Sequence, residues 1–228
     1  MLFSEINPFL RFVRIQIDTN RNRRPVCRPY DARFFYTIDG VGKILADGEE
    51  YEMTKGKALI INAAVEYHLK APSESVTYCV INFDYTQEYS HIKTPVRPQK
   101  SSLFDDSGII GKVEFPDMTQ FNRVVYFEDL SHLEGKLLRC EREFSKQLLF
   151  YDRKISGIFS EILIACARRI NMGERANIND KKKKILSYLH DNYHRNITNE
   201  EMSEEFLYHP NYLSNMIKNY TGLSLHKY

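Results

Sequence analysis

Between Asn211 and Lys218, five polar side chains (Asn211, Tyr212, Ser214, Asn215 and Lys218) are interleaved with Leu213, Met216 and Ile217. Apolar residues three and four apart predict a helix whose buried stripe leaves the five polar groups outside. Amide, hydroxyl and ammonium groups gathered on one outer helix face suit the reading of base edges in a DNA major groove. The groove admits a helix, an Asn can pair with an adenine edge in bidentate fashion, and a Lys can meet phosphate or guanine. The competing reading is a small helical packing module, because a polar outer face is the rule on any surface helix.

Several elements must hold that helix in place. Ile185, Leu186, Leu189 and Tyr193 form one buried stripe at helical spacing. Thr198 stands three residues ahead of Glu201, the pattern of a capping box in which hydroxyl and carboxylate each bond a backbone amide. The short helix that follows turns Met202 and Phe206 inward, with Ser203 small enough for close approach. Tyr208-His209-Pro210 interrupts it, and Pro210 suits the first position of the next helix, where no N–H is needed. Gly222 ends that helix, and Ser224 caps a further one of which Leu225 to Tyr228 are the first turn.

The order Ile197-Thr198-Asn199-Glu200-Glu201-Met202-Ser203, Pro210-Asn211-Tyr212-Leu213-Ser214, Lys218 and Thr221-Gly222-Leu223-Ser224 resembles the first half of an AraC/XylS-type DNA-binding domain. The departures from that pattern are His209 at a position usually held by a capping Ser, Asn215 where Arg is common, and Ile217 where Phe is usual. The resemblance implies a helix-turn-helix that binds double-stranded DNA through Asn211, Tyr212, Ser214, Asn215 and Lys218. The family carries a second helix-turn-helix, and here nothing follows Tyr228, so the expectation is a regulator shortened before that module. One module alone makes few phosphate and base contacts, which implies weak binding.

The chain has 228 residues, 43% of them apolar, with 15 Tyr, 14 Phe and no Trp, enough for one large or two modest domains. A net charge of +2 excludes a protein held to nucleic acid by bulk charge. The basic run Lys181 to Lys184 is read as a solvated helix start. Cys27, Cys79, Cys140 and Cys166 are far apart, a spacing that suits reduced thiols rather than a zinc site or a disulfide framework. With no signal-like amino terminus and no run of 18 apolar residues, a cytoplasmic protein with no membrane partner is expected.

From Phe9 to about Phe83 the hydrophobic period is alternating. Strands are expected at Phe9–Ile17, Arg33–Ile38, Lys43–Ala46, Tyr51–Met53, Ala58–Ile61 and Ser75–Phe83. Turns are expected at residues 39–42, at Asp47-Gly48 and at Lys55-Gly56. Many short strands suggest a small antiparallel barrel or jelly roll. The order of its glycine turns resembles the cupin-type sensor half of the same regulators. Enzymatic cupins hold a metal with His and Glu side chains, but Arg33 stands at the Glu position and Cys27, Arg28 and Pro29 fall where the first His residues would be, so no metal and no cofactor are expected. As a sensor, the barrel would hold a small polar effector such as a sugar, with Arg33, Phe35, Tyr36, Tyr67 and His68 as ligand-binding residues. Each has a plain alternative: Phe35 as core, Arg33 paired with a surface carboxylate, His68 as a rim histidine.

Further on, strands are expected at Lys112–Phe115 and Arg123–Phe127. Two helical stripes follow, one through Leu137, Leu138, Phe144, Leu148 and Leu149, the other through Ile155, Ile158, Phe159, Ile162, Leu163 and Cys166. The whole is an α+β chain. Its expected parts are a cupin-like sensor (1–133), a helical coupling or dimerisation segment (134–170), a linker (171–180) and a partial DNA-binding domain (181–228). The resemblance implies a homodimer built on the helical stripes; burial of those stripes on the barrel itself is the alternative. The expected function is a ligand-responsive, non-enzymatic transcription regulator. The alternatives are a cupin-fold enzyme with an appended helical module, and a shortened partner that interferes with full-length regulators.

Overall fold

The computed structural model describes residues 1–19, 21, 24–70, 72–192, 194–195 and 197–222, with backbone only at 174–182, 199, 219 and 220. Tyr193, the side chains of Lys181 and Lys182, and the helix start expected at Ser224 lie outside the described residues. The chain divides into two compact units, residues 1–165 and 166–228.

The first unit is a curled antiparallel sheet. Its strands are β1 (Phe9–Thr19), β2 (Cys27–Arg28), β3 (Ala32–Ala46), β4 (Glu49–Thr54), β5 (Ala58–Ile61), β6 (Tyr67–Lys70), β7 (Ser75–Asp84), β8 (Gln99–Lys100) and β9 (Val124–Phe127). Their order is β1-β7-β3-β6-β2-β8, with β4 and β5 also paired to β3, and β9 to β5. The turn expected at residues 39–42 is not a turn. β3 runs through it as a single strand, pairing with β5 and β7 up to Gly40 and with β4 and β6 from Val41 on. The register slips between Thr37 and Asp39, and Gly40 takes φ +81°, where a Cβ would meet Ser75 O at 2.3 Å. A glycine bulge therefore bends one strand from one layer into the other. Asp47 and Gly48, both at positive φ, make the expected tight hairpin. Lys112–Phe115 forms no strand; Phe115 instead buries its ring against Phe3 and Tyr85, with centroids 5.0 and 4.9 Å apart.

Strand alternation makes two apolar faces. Inside the curl, Phe35, Ile44, Met53, Leu59, Ile61, Tyr67, Tyr78 and Val80 pack together. The outer face is covered by helix, so Phe34 and Phe83 meet Phe159 at 5.8 and 4.7 Å. Helix α1 (Glu134–Lys146) stops at Gln147, which is left-handed at φ 47°. The stripe expected to reach Leu148 and Leu149 therefore ends early, and these two are 60% and 84% exposed in the connection. The 41-residue α2 (Tyr151–Asp191) follows. Ile155, Ile158, Phe159, Ile162, Leu163 and Cys166 are all buried within the chain, the alternative that the sequence left open for this stripe. Residues 171–180, expected as a linker, have helical backbone within α2.

The second unit contains the end of α2, α3 (Asn199–Phe206) and α4 (Pro210–Thr221). Ile185, Leu189, Ile197, Met202, Leu213 and Ile217 make its core, with Tyr188, Phe206, Tyr208 and Met216 at the margin. Burying such side chains contributes about 1.5–3 kcal/mol each. The Thr198 hydroxyl accepts from the Glu201 N–H at 3.1 Å, as expected. The returning half of the capping box is not made, because the Glu201 carboxylate accepts from Tyr188 Oη at 3.2 Å and pairs with Arg195.

Candidate functional site

Two places gather polar side chains, one in each unit. In the second unit, Leu207 leaves α3 in a left-handed conformation, φ 55°. His209 then caps α4, its Nδ1 accepting from the Asn211 N–H at 3.3 Å, and Pro210 fills the first helical turn. Gly222 closes the helix at φ 75°, its N–H donating to Lys218 O. Leu213 and Ile217 anchor the inner face, fully buried. At spacings of three and four on the opposite side stand Asn211, Asn215 and Lys218, all exposed, with Ser214 half-buried beside them. Tyr212 lies at the flank, 53% exposed, its ring 5.3 Å from that of Tyr208. The five residues expected to meet DNA thus share one side of a short, fixed helix. Neighbouring α3 carries Glu200, Glu201, Glu204 and Glu205. Phosphates would be repelled there, so a nucleic acid could approach α4 only with α3 turned away from its backbone.

In the first unit, Arg33, Phe35 and Tyr67 project inside the curl, where Phe35 lies 5.9 Å from Tyr67 and 6.2 Å from Tyr78. Burial pushes the Tyr67 phenol up from its ordinary range, with Arg33 near enough to pull against that shift. Tyr36 points the other way, donating from Oη to Glu134 Oε2 at 2.7 Å; burial, then Glu134, raise its pKa. His68 alternates with Tyr67 and Leu69 and is half-buried on the outer side of β6. The five expected ligand residues therefore divide, three inside and two outside.

No local pattern marks the partners of Arg33. This guanidinium is not paired on the surface. It is 4% exposed, 2.7 Å from Asp31 Oδ1 and donates to Val96 O at 2.7 Å. Asp31 also accepts from Arg11, which holds Asp84 through Nη1 and Nη2 and donates from Nε to Ile92 O. Two cations and two anions thus sit together out of water. Burial raises the Asp31 and Asp84 carboxyls, against the pull of the arginines. Asn82 lies opposite Arg33 across the β3–β7 ladder. Three buried atoms on this inner face, Arg33 Nε, Thr37 Oγ1 and Asn82 Oδ1, have no hydrogen-bond partner among the described residues. The only sequence signal for Asn82 and Thr37 was their place on inward-alternating positions. Among the described residues, no three His, Cys, Asp or Glu side chains gather to hold a metal ion.

No protein-family model matches the sequence, and no curated protein is similar to it. Among solved structures, ToxT from Vibrio cholerae O395 is 12% identical over 93% of this chain and 75% of its own, with a TM-score of 0.40. A cupin protein from Bacteroides fragilis is 23% identical, the match covering 31% of this chain and 62% of that one, under two thirds of its length, with a TM-score of 0.28. A salicylate 1,2-dioxygenase from Pseudaminobacter salicylatoxidans is 15% identical over 32% of this chain and 21% of its own, at 0.27. At such identities and overlaps, none of these similarities assigns an activity to this chain.

Proposed function

We propose that this chain is a DNA-binding transcription regulator of the AraC/XylS type, without enzymatic activity. In this reading α3 and α4 are a helix-turn-helix with α4 as the recognition helix, and the curled sheet is a cupin-like sensor for a polar small molecule such as a sugar. Residues 1–133 sense, 134–170 couple, and 181–228 read DNA, in a homodimer. The observation that carries the reading is the outer side of α4: Asn211, Asn215 and Lys218 exposed in a row, opposite Leu213 and Ile217 locked in a core. The sensor half is supported by the three partnerless buried atoms beside Phe35, since a ligand with donors and acceptors supplies the missing hydrogen bonds.

Asn215 and Lys218 have separable tasks. Asn215 matches an adenine edge, so Asn215→Ala relaxes preference at one base pair and costs about 1–3 kcal/mol there. Lys218 meets phosphate, so Lys218→Ala weakens every sequence alike and lowers the salt slope by about one. Fluorescence anisotropy on a panel of duplexes at several salt concentrations checks both. For residues 1–228 the expected non-specific affinity is roughly 10⁻⁴ to 10⁻⁶ M. Absence of binding in that range, or an equal loss on all duplexes for Asn215→Ala, would remove α4 from the groove.

A further inference from the structure

We infer that the free edge of β1 pairs antiparallel with the same edge of a second copy, about a two-fold axis passing through Gln16. This deepens the homodimer named above by giving it an interface, and it rests on observations separate from α4. Of the two helical stripes that the sequence offered for dimerisation, Leu137, Ile155, Phe159 and Ile162 are buried within the chain, while the exposed Leu148 and Leu149 lie in the α1–α2 connection and not on a helix face. β1 is not spent. It stands at the end of the strand order and, among the described residues, pairs along one side only, with β7. It is 11 residues long, a length at which unpaired N–H and C=O groups on an edge template a further strand. Its ends are tied to loops, Arg11 to Ile92 O and Asp18 to Arg24. Between these ties Ile17 is 64% exposed, and Arg14 is exposed with no ion pair among the described residues.

Symmetry then restricts the register. A two-fold axis perpendicular to the sheet keeps each side chain on its own face, so it sets opposite one another only residues separated by an even number. The axis must therefore pass through a residue. Through Arg14 it would set two guanidinium groups face to face; through Asp18, two carboxylates. Through Ile15 it would set Asp18 against Phe12. Through Gln16 it sets Arg14 opposite the partner's Asp18, Ile15 opposite the partner's Ile17, and the two Gln16 amides together. Across Arg14–Asp18 each pair in that register is complementary, and the charge pair and the apolar pair each occur twice. Opposite charges and apolar side chains directly across an antiparallel ladder stabilise it, while like charges destabilise it. Asp18 keeps Arg24 and gains a second cation, and Ile17 is covered.

The experiment uses the full chain and a disulfide across the axis. The four native cysteines are buried, so mild oxidation of Gln16→Cys should give a covalent dimer, whereas Thr77→Cys on neighbouring β7 should not. Arg14→Asp sets carboxylates against the partner's Asp18 twice over. Sedimentation equilibrium should show its dissociation constant raised by about tenfold or more, with an unchanged circular dichroism spectrum. A chain that stays monomeric throughout overturns the proposal. So does a dimer indifferent to Arg14→Asp that forms no Gln16→Cys link. The salt slope of DNA binding, measured on the Arg14→Asp protein, reports on α4 whichever way the dimer test falls.

Discussion

Arg33 and Lys218 are both cations on regular elements with an apolar side, yet one is sealed among two aspartates and a second arginine while the other stands in solvent. The difference lies in the layer each element joins. The first half of β3, Ala32–Thr37, is covered on both faces, by the opposing strands and by helix, so a polar residue there is taken out of water and must be neutralised where it sits. α4 rests on one small core and leaves half its circumference outside, where polar groups keep their hydrogen-bonding capacity for a partner. Polarity buried inside the curl is therefore chiefly architectural, with Arg33 Nε, Thr37 Oγ1 and Asn82 Oδ1 left without a partner among the described residues, and exposed polarity on α4 is available for recognition.

The strongest way to break that contrast is to remove one member of the buried ion cluster. Asp84→Ala leaves the Arg11 guanidinium short of a carboxylate in a water-free site. Urea unfolding should show a loss of about 3–5 kcal/mol, where Lys218→Ala should be nearly silent. A smaller change of opposite sign is expected at Thr37, whose hydroxyl is buried without a partner among the described residues. Thr37→Val keeps the shape and removes the stranded oxygen. The ligand-free protein should gain about 1 kcal/mol in thermal unfolding and lose any stabilisation by a polar effector. A destabilised Thr37→Val would mean that the hydroxyl is satisfied. At Leu207, 88% exposed and left-handed, Leu207→Gly relieves backbone strain and should also add about 1 kcal/mol, without altering the polar side of α4.

The smallest effect belongs to an exposed ion pair of the same sheet. Glu50 is held at about 2 by hydrogen bonds from Lys43 and Lys70. Its pKa is depressed on folding, so its contribution is present above the ordinary carboxylate range and fades as pH falls toward 2. Nuclear magnetic resonance titration of the Glu50 side chain checks this, and Glu50→Gln should change stability little at neutral pH, as surface pairs do. A large loss there would erase the distinction between charges inside and outside the curl.

Much of this was legible in the chain itself. The start of α3 at Thr198, the α4 boundaries at Pro210 and Gly222, and the Asp47-Gly48 hairpin follow from local chemistry, since caps and positive-φ turns need particular side chains within four residues. What was not legible depends on distant partners. Gly40 and Gly42 read as a turn because glycines favour turns; that they form a bend in a continuous strand depends on Ser75 and Tyr78 closing over them. Arg11 sits among apolar residues of β1, and nothing local tells that Asp31 and Asp84 will converge on it. Tyr36 alternates away from the interior as the period requires, but its bond to Glu134 joins residues nearly a hundred positions apart.

The ladder between β1 and β7 also sets a timetable. Phe9 lies opposite Asp84, so β1 waits on the ribosome for about 75 further residues before its intramolecular partner exists, roughly 4–15 s at ordinary elongation rates. During that interval Phe9, Leu10, Val13, Ile15 and Ile17 are an uncovered apolar segment on a nascent chain. Conditions that slow synthesis across codons 20–84 should therefore lower the soluble yield more than the same delay placed within α3 and α4, whose core closes over a few dozen residues.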